Sequence, residues 1–413
     1  MKDTELYRHL LGLQSPWSVA NVNLDVTAHR VDVYVEHPKG QKWPCPVCGE
    51  LQPVYDHSEK RVWRHLDSCQ FLTYLHASPP RVNCPEHGVR QVLLPWAEPK
   101  SRFTLLFERM AIDVMQVTHI RAAKQILRIS WDEAWHILCR AVQRGLQRKE
   151  PRLIEHLGVD EKAIARGQKY FTLVCDLDRG TVEHIGDGRD RRSFQSYLEA
   201  LTPEQLKAIV AIAMDMHEAY VQAALAKIPA AEQKIVFDLF HIMQHMGAAV
   251  DDVRRKEHQA LAGAGDRRLA RTRYMWLYGQ EKVPRKYWFS FYTLRKSDLK
   301  TAKAWALKEN LRRLWRYKRL SAAKSYWKSW YFWATHCRLE PVAKVAKMLK
   351  RRLPLVLNYF THRITNALSE GMNSKVEAIK NAARGYRNPE RFKSMIWFRL
   401  GGLDLYPVTH GKP

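Results

Sequence analysis

The apolar positions of the chain do not keep one period. Before residue 100 they form short strand-like runs such as VWRHL and QFLTYLHAS, which predict a small hairpin scaffold. From 104 to 148 the spacing is helical, with a short break at Arg128-Ile129-Ser130. Ser130 stands where an N-cap belongs and Glu133 follows three residues later, the pattern of a capping box. A helix-turn-helix fits this segment, its second helix being the one that would read a major groove. Any three-helix bundle fits it too.

From 153 the pattern becomes mixed. LIEHLGVDE predicts a strand ending at Asp160, KYFTLVCDL a second strand and TVEHIGDG a third. Helical RRSFQSYLEAL, the strand IVAIAMD, helical HEAYVQAALAKI and the short strand KIVFDLF follow. This β-β-β-α-β-α-β order resembles the ribonuclease-H-like fold. Ile209 to Met214 is apolar without alternation, the mark of a strand covered on both faces, and Asp215 ends it. If the first and fourth strands are neighbours, Asp160 and Asp215 stand side by side, and paired carboxylates repel unless a cation lies between them. Oxygen ligands of this kind suit magnesium, and two such ions support in-line phosphoryl displacement.

A third carboxylate is expected from the later helical stretch TNALSEGMNSKVEAIKNAARGYRN, where Glu370 and Glu377 are seven apart and share a face. Around these acids, Asp238 and His241 follow the last strand as a capping Asp and a packed His, with a role beside the site as the alternative. His217 reads as an exposed first-turn residue, and Asp176, Asp178 and Asp187 as hairpin-turn acids.

Two short motifs near the start carry different chemistry. CPVCG at 45 to 49 and CPEHG at 84 to 88 offer Cys45, Cys48, Cys84 and His87 as two knuckles of soft ligands, the spacing of a zinc ribbon with a closed structural site. Cys69, His57, His65 and His76 are rival ligands. Seven cysteines in 413 residues, four of them before residue 90, argue against a disulfide framework. No apolar run approaches the roughly 18 residues that span a bilayer, and MKDTELYRHL lacks a signal-peptide core, so a cell-interior protein is expected.

The net charge of +26 is unevenly spread: residues 1 to 250 hold 31 Lys/Arg against 30 Asp/Glu, and residues 251 to 400 hold 36 against 11. The basic part also carries eight of the fourteen tryptophans, in stretches such as LRRLWRYKRL. Basic residues interleaved with aromatics suit nucleic acid, and an amphipathic bundle with tryptophans in its core accounts for the aromatic half of the pattern. Arg312, Arg313, Arg316 and Arg319 are the candidate DNA-binding side chains.

LGVDEKAIARGQKYFTLVCDLDRGTVEHIGDGRD, VAIAMDMHEAYVQAALAKIPAAEQKIVFDLFHIMQHM and SEGMNSKVEAIKNAARGYRN, in that order, closely resemble bacterial insertion-sequence transposases of the ISL3 family. The resemblance implies a multidomain α+β protein: an N-terminal segment over 1–40, a zinc ribbon over 41–100, a helix-turn-helix over 101–150, and a ribonuclease-H-like α/β catalytic domain over 151–240 and 361–405. An all-helical basic insertion over 241–360 interrupts that domain. It also implies a DDE triad of Asp160, Asp215 and Glu370, the glutamate chosen over Glu377 by the pattern Ser-Glu-x-x-Asn at 369 to 373. Implied with it are two Mg2+ or Mn2+ ions per active site, a structural Zn2+, double-stranded DNA as substrate (the element's terminal inverted repeats and target DNA), a homodimer on DNA, and a nucleoid-associated place in the bacterial cytoplasm. The alternatives are a structure-specific nuclease or resolvase of the same fold and a domesticated, catalytically inactive DNA-binding regulator.

Overall fold

The computed structural model describes residues 2–165, 169–364 and 367–408. The chain forms two compact units, one built from residues up to Glu150 together with those from Ala382 onward, the other from Pro151–Asn381. No helix among the described residues is long and apolar enough to cross a membrane.

In the first unit, helix α1 (Asp3–Leu10) precedes strands β1 (Ser18–Asp25), β2 (Arg30–Glu36), β3 (Lys42–Pro44), β4 (Leu51–His57), β5 (Arg61–Arg64), β6 (Leu72–Ala77), β7 (Pro80–Cys84) and β8 (Gly88–Gln91). They make two four-stranded sheets, in the orders β1-β2-β6-β5 and β3-β4-β7-β8. The expected hairpin of VWRHL and QFLTYLHAS is present as antiparallel β5 and β6, but β6 also runs parallel to β2. The first forty residues are therefore part of this scaffold. Trp17 packs between Trp43 and Trp96 with ring centroids 4.8 and 4.7 Å away, and so ties both sheets to one apolar core.

Helices α2 (Leu105–Val117), α3 (Ile120–Leu127) and α4 (Trp131–Gln147) follow. Arg128 closes α3 in the left-handed conformation, and Ser130 caps α4 in a capping box with Glu133, so the predicted break has the predicted chemistry. A second break at Thr118 and His119, not expected from the periodicity, separates α2 from α3. Buried Glu108 on α2 receives Arg140 and Arg144 from α4, which satisfies a carboxylate that is wholly out of solvent.

The second unit holds β9 (His156–Ala165), β10 (Lys169–Asp176), β11 (Thr181–Asp187), β12 (Ala211–Met214) and β13 (Ile235–Phe237), with α5 (Arg191–Glu199), α6 (Pro203–Ala208), α7 (Glu218–Lys227) and α8 (Ala231–Lys234) between them. The sheet order is β11-β10-β9-β12-β13. The first two pairings are antiparallel, and β12 runs parallel to both β9 and β13. All four residues of β12 are buried, as a strand covered on both faces requires.

One expectation is corrected. β9 does not end at Asp160 but continues to Ala165, because antiparallel β10 keeps pairing with it, Glu161 opposite Thr172 and Lys162 opposite Phe171. What ends at Asp160 is the parallel pairing with β12, whose last rung is Met214 opposite Val159.

After β13 the unit is helical: α9 (Leu239–Gly263), α10 (Arg273–Leu277), α11 (Trp288–Lys296), α12 (Lys300–Arg313), α13 (Leu320–His336), α14 (Glu340–Arg351), α15 (Leu353–Leu357), α16 (Tyr359–His362) and α17 (Ala367–Ala382). Trp276, Trp305, Trp315, Trp327 and Trp330 are buried in its core, whereas Trp288 is 62% exposed. The tryptophans of the basic segment thus serve mainly as core, and its cations are left on the outside. Two buried cations are structural: Arg254, 8% exposed, pairs with Asp251 at 2.9 Å, and Lys308, 1% exposed, donates to the carbonyls of Trp276, Leu277 and Tyr278 at 2.9–3.0 Å and closes the end of α10. Helix α18 (Pro389–Leu400), expected with the catalytic domain, lies in the first unit, where Arg391 stacks over Trp131 of α4 at 4.6 Å.

Candidate active site and zinc site

The first unit gathers Cys45, Cys48, Cys84 and His87 so that one ligand atom of each lies within 4.8 Å of all the others, the only such group of three or more metal-ligating residues among the described residues. Each knuckle turns on a glycine of positive φ, Gly49 at +79° and Gly88 at +66°, a conformation that costs glycine nothing. Cys48 Sγ is 3.7 Å from Cys84 Sγ, which is 3.4 Å from His87 Nδ1. A tetrahedral zinc with bonds of about 2.3 Å to sulfur has ligand edges of about 3.8 Å, so the four donors fit that ion. Backbone N–H groups of Cys48 and Val47 hold the Cys45 thiol below its ordinary pKa, favouring the thiolate that binds metal. The rival histidines are engaged elsewhere: His65 with Thr104 at 2.9 Å, His76 with Asp32 at 2.5 Å, His57 with His37 at 3.0 Å; Cys69 lies exposed and outside the cluster.

In the second unit the acids are positioned by the sheet. Asp160 and Asp215 each stand one residue past the Val159–Met214 rung of parallel β9 and β12, so they are neighbours across about 4.8 Å of strand spacing. Asp160 is 7% exposed; its Oδ1 accepts from Glu161 N at 2.8 Å and its Oδ2 from Asn373 Nδ2 at 2.6 Å. Burial pushes its pKa up to about 6, with Asp215 adding to the rise and the Glu161 N–H and His241 opposing it. Asp215 Oδ1 accepts from His217 N at 2.9 Å, which seats His217 as the N-cap residue of α7.

Helix α17 lies along the same strand. Asn373 reaches Asp160, Glu377 pairs with Lys162 at 2.8 Å, and Lys380 donates to the Ala163 carbonyl at 3.3 Å. Glu377 is therefore an ion-pair partner of β9. Glu370 is exposed at the start of the helix. Its carboxyl is held above the usual range, first by partial desolvation and then by the Asp238 carboxylate, with His241 opposing. The three acids expected as a triad do not form one group within 4.8 Å; Asp160 stands with Asp215, and Glu370 with Asp238. Asn373 was not singled out by the sequence reading, although it is the last residue of the Ser-Glu-x-x-Asn pattern.

The remaining acids behave as local structure. Asp176 accepts from the N–H groups of Asp178 and Arg179 in the β10–β11 turn, and Asp178 pairs with His156. A cavity of about 1120 Å³ is lined by the acids Asp238, Asp251 and Glu370 and by Arg255, Arg273, Lys282 and Arg312. Of the four arginines proposed for DNA, Arg312 is half-buried 3.7 Å from Glu309, Arg316 pairs with Glu281 at 2.5 Å, and Arg313 and Arg319 are exposed.

Two outcomes follow from these geometries. Cys84→Ser should lower bound zinc from about one per chain to a small fraction of that and unfold the first unit at lower temperature, read by metal analysis and calorimetry; full zinc content in the variant contradicts the ligand set. Asp160 has a folded pKa of about 6 against an ordinary 3.8, so its ionisation destabilises the fold increasingly from pH 4 to 6 and fully above, by about 3 kcal/mol without divalent cations. Asp160→Asn should therefore be more stable than wild type at pH 7.5 in magnesium-free buffer, and the gap in denaturant unfolding should close as pH falls through 6 towards 4. A gap that does not change with pH contradicts the buried charge.

Comparison with known families matches a stretch in each unit. Residues 157–396 match the ISL3 model described as "Transposase", and residues 41–87 match the zinc finger of the transposases of IS204, IS1001, IS1096 and IS1165. The chain is 28% identical over 399 residues to the transposase for insertion sequence element IS1001 of Bordetella parapertussis, covering 95% of this chain and 97% of that protein. It is 25% identical over 444 residues to the transposase for IS1557 of Mycobacterium tuberculosis, covering 100% and 99%. With more than half of its length matched by the family model, the chain belongs to the ISL3 family of insertion-sequence transposases.

Proposed function

We propose that the protein binds the terminal inverted repeats of its insertion sequence and cuts and joins DNA at a ribonuclease-H-like DDE centre made of Asp160, Asp215 and Glu370. The observation that carries this reading is the parallel register of β9 and β12, which sets Asp160 beside Asp215 at the end of their pairing. Two unprotonated carboxylates at that spacing are a cost to the fold, and a divalent cation removes it. Bound magnesium or manganese ions, two per site, supply the charge that stabilises in-line displacement at phosphorus and acidify an attacking hydroxyl. Asn373 and the Glu161 N–H hold the Asp160 carboxylate in one orientation. Glu370 stands at the start of α17, followed by Gly371, where an added Cβ would meet nothing within 4 Å; a phosphate backbone has room to approach there. A water attacks the phosphate at the element's end and displaces its 3′-oxygen, which leaves as the terminal 3′-hydroxyl; that hydroxyl then attacks a target phosphate and displaces the target strand's 3′-oxygen, with no covalent protein intermediate.

DNA contacts divide between the units. The zinc-bound ribbon, held by Cys45, Cys48, Cys84 and His87, and the α3–α4 helix-turn-helix read the element's ends, and the basic helical segment clamps the backbone. Arg313 and Arg319 have exposed heads for phosphate, whereas Arg312 and Arg316 share theirs with Glu309 and Glu281. Paired ends require at least a dimer on DNA.

Asp160→Asn, Asp215→Asn and Glu370→Gln should each lower cleavage and the joining of pre-cut ends by at least about a hundredfold, a barrier change of about 2.7 kcal/mol, with end binding retained. Glu377→Gln should stay within about tenfold of wild type. Activity of the first three within about tenfold removes the triad, and cleavage without joining favours a nuclease.

A further inference from the structure

Asp238 holds a position in the sheet equivalent to those of Asp160 and Asp215. Strand β13 runs parallel to β12 with Phe237 opposite Met214, and Asp238 N donates to the Met214 carbonyl at 3.0 Å. Each of three adjacent parallel strands thus delivers an aspartate one residue past the same rung, Val159, Met214 and Phe237.

A helix cap accounts for only half of this side chain. Asp238 Oδ1 accepts from Phe240 N at 3.1 Å at the start of α9. The other oxygen, Oδ2, is out of solvent with no hydrogen-bond partner, in a residue 7% exposed. A buried carboxylate oxygen without a donor is costly, and a bound cation is one partner that relieves that cost. Among the described residues no arginine or lysine forms an ion pair with Asp238.

The group it does face is another acceptor. Glu370 lies close enough for the Asp238 charge to raise its pKa, and both line the 1120 Å³ cavity. Ionised carboxylates are acceptors only, so the pair needs something positive between them. Resting on the assignment of Glu370 to the cation centre, we propose that Asp238 is a fourth carboxylate of that centre and holds, with Glu370, a second divalent cation of the magnesium or manganese class. Asp160 and Asp215 hold the first. Magnesium commonly takes one or two protein carboxylates and completes its octahedron with water and phosphate oxygens, which accords with the grouping of these acids as two pairs.

The test is a manganese titration of the zinc-loaded full chain, read by the paramagnetic resonance of free Mn2+. Asp238→Asn removes the charge and keeps a capping oxygen, since Asn caps helices as well as Asp does. Wild type should bind two ions, and Asp238→Asn should weaken one of them at least tenfold at unchanged zinc content and helicity. Glu370→Gln, which leaves the cap untouched, should weaken the same ion, and Asp160→Asn the other. An Asp238→Asn protein that binds both ions as wild type does, while Asp160→Asn and Glu370→Gln lose theirs, overturns the proposal and spares the triad. Wild-type binding of no manganese, or binding indifferent to Asp160 and Glu370 as well, overturns both.

Discussion

The register of three parallel strands governs the second unit. Because β9, β12 and β13 align at Val159, Met214 and Phe237, three aspartates emerge in line where strands packed in an apolar core end their parallel pairing. Parallel strands put equivalent residues on the same side, so their charges cannot turn away from one another. For Asp160 the cost of ionisation in that place is about 3 kcal/mol, a large share of the 5–15 kcal/mol that usually holds a domain together. Neutral hydrogen bonds from Asn373 and the Glu161 N–H orient this charge without neutralising it.

The helical segment after β13 is organised on the opposite principle. Most of its tryptophans pack inward and most of its cations face outward, so a region of strongly positive sequence is built around an apolar core shared with the sheet. Where a cation is buried it has a structural task, as Lys308 does at the end of α10. The cavity joins the two principles: Asp238 after β13 and Glu370 on α17 line it together with Arg255, Arg273, Lys282 and Arg312.

How much of this was legible in the sequence depended on how local each feature is. Zinc knuckles are closed by residues three apart and finished by a glycine, so their spacing alone pointed to the four residues that the fold brings together. Asp215 was legible because a charge interrupts a strand buried on both faces. The continuation of β9 past Asp160 was not, since it is decided by which neighbour ends first, β10 or β12. The parallel pairing of β2 with β6 joins segments some forty residues apart and leaves no local signature, and the first forty residues therefore read as a separate segment. Asn373 is an ordinary helix residue until Asp160 is opposite it, and Asp238 is an ordinary cap until its second oxygen is found without a partner. Glu377 shares a face with Glu370, and only the position of Lys162 on β9 separates their uses.

The central claim is that the strand-end acids form a cation centre for chemistry on DNA. Its most direct test is a crystal structure of the full chain on pre-cut end DNA with manganese, with anomalous scattering measured at the manganese edge. The account predicts a peak bridging Asp160 and Asp215, a second beside Glu370, and the scissile phosphate between them. Anomalous peaks lying only at surface acids, with the Asp160–Asp215 pair empty and no DNA near it, would contradict it.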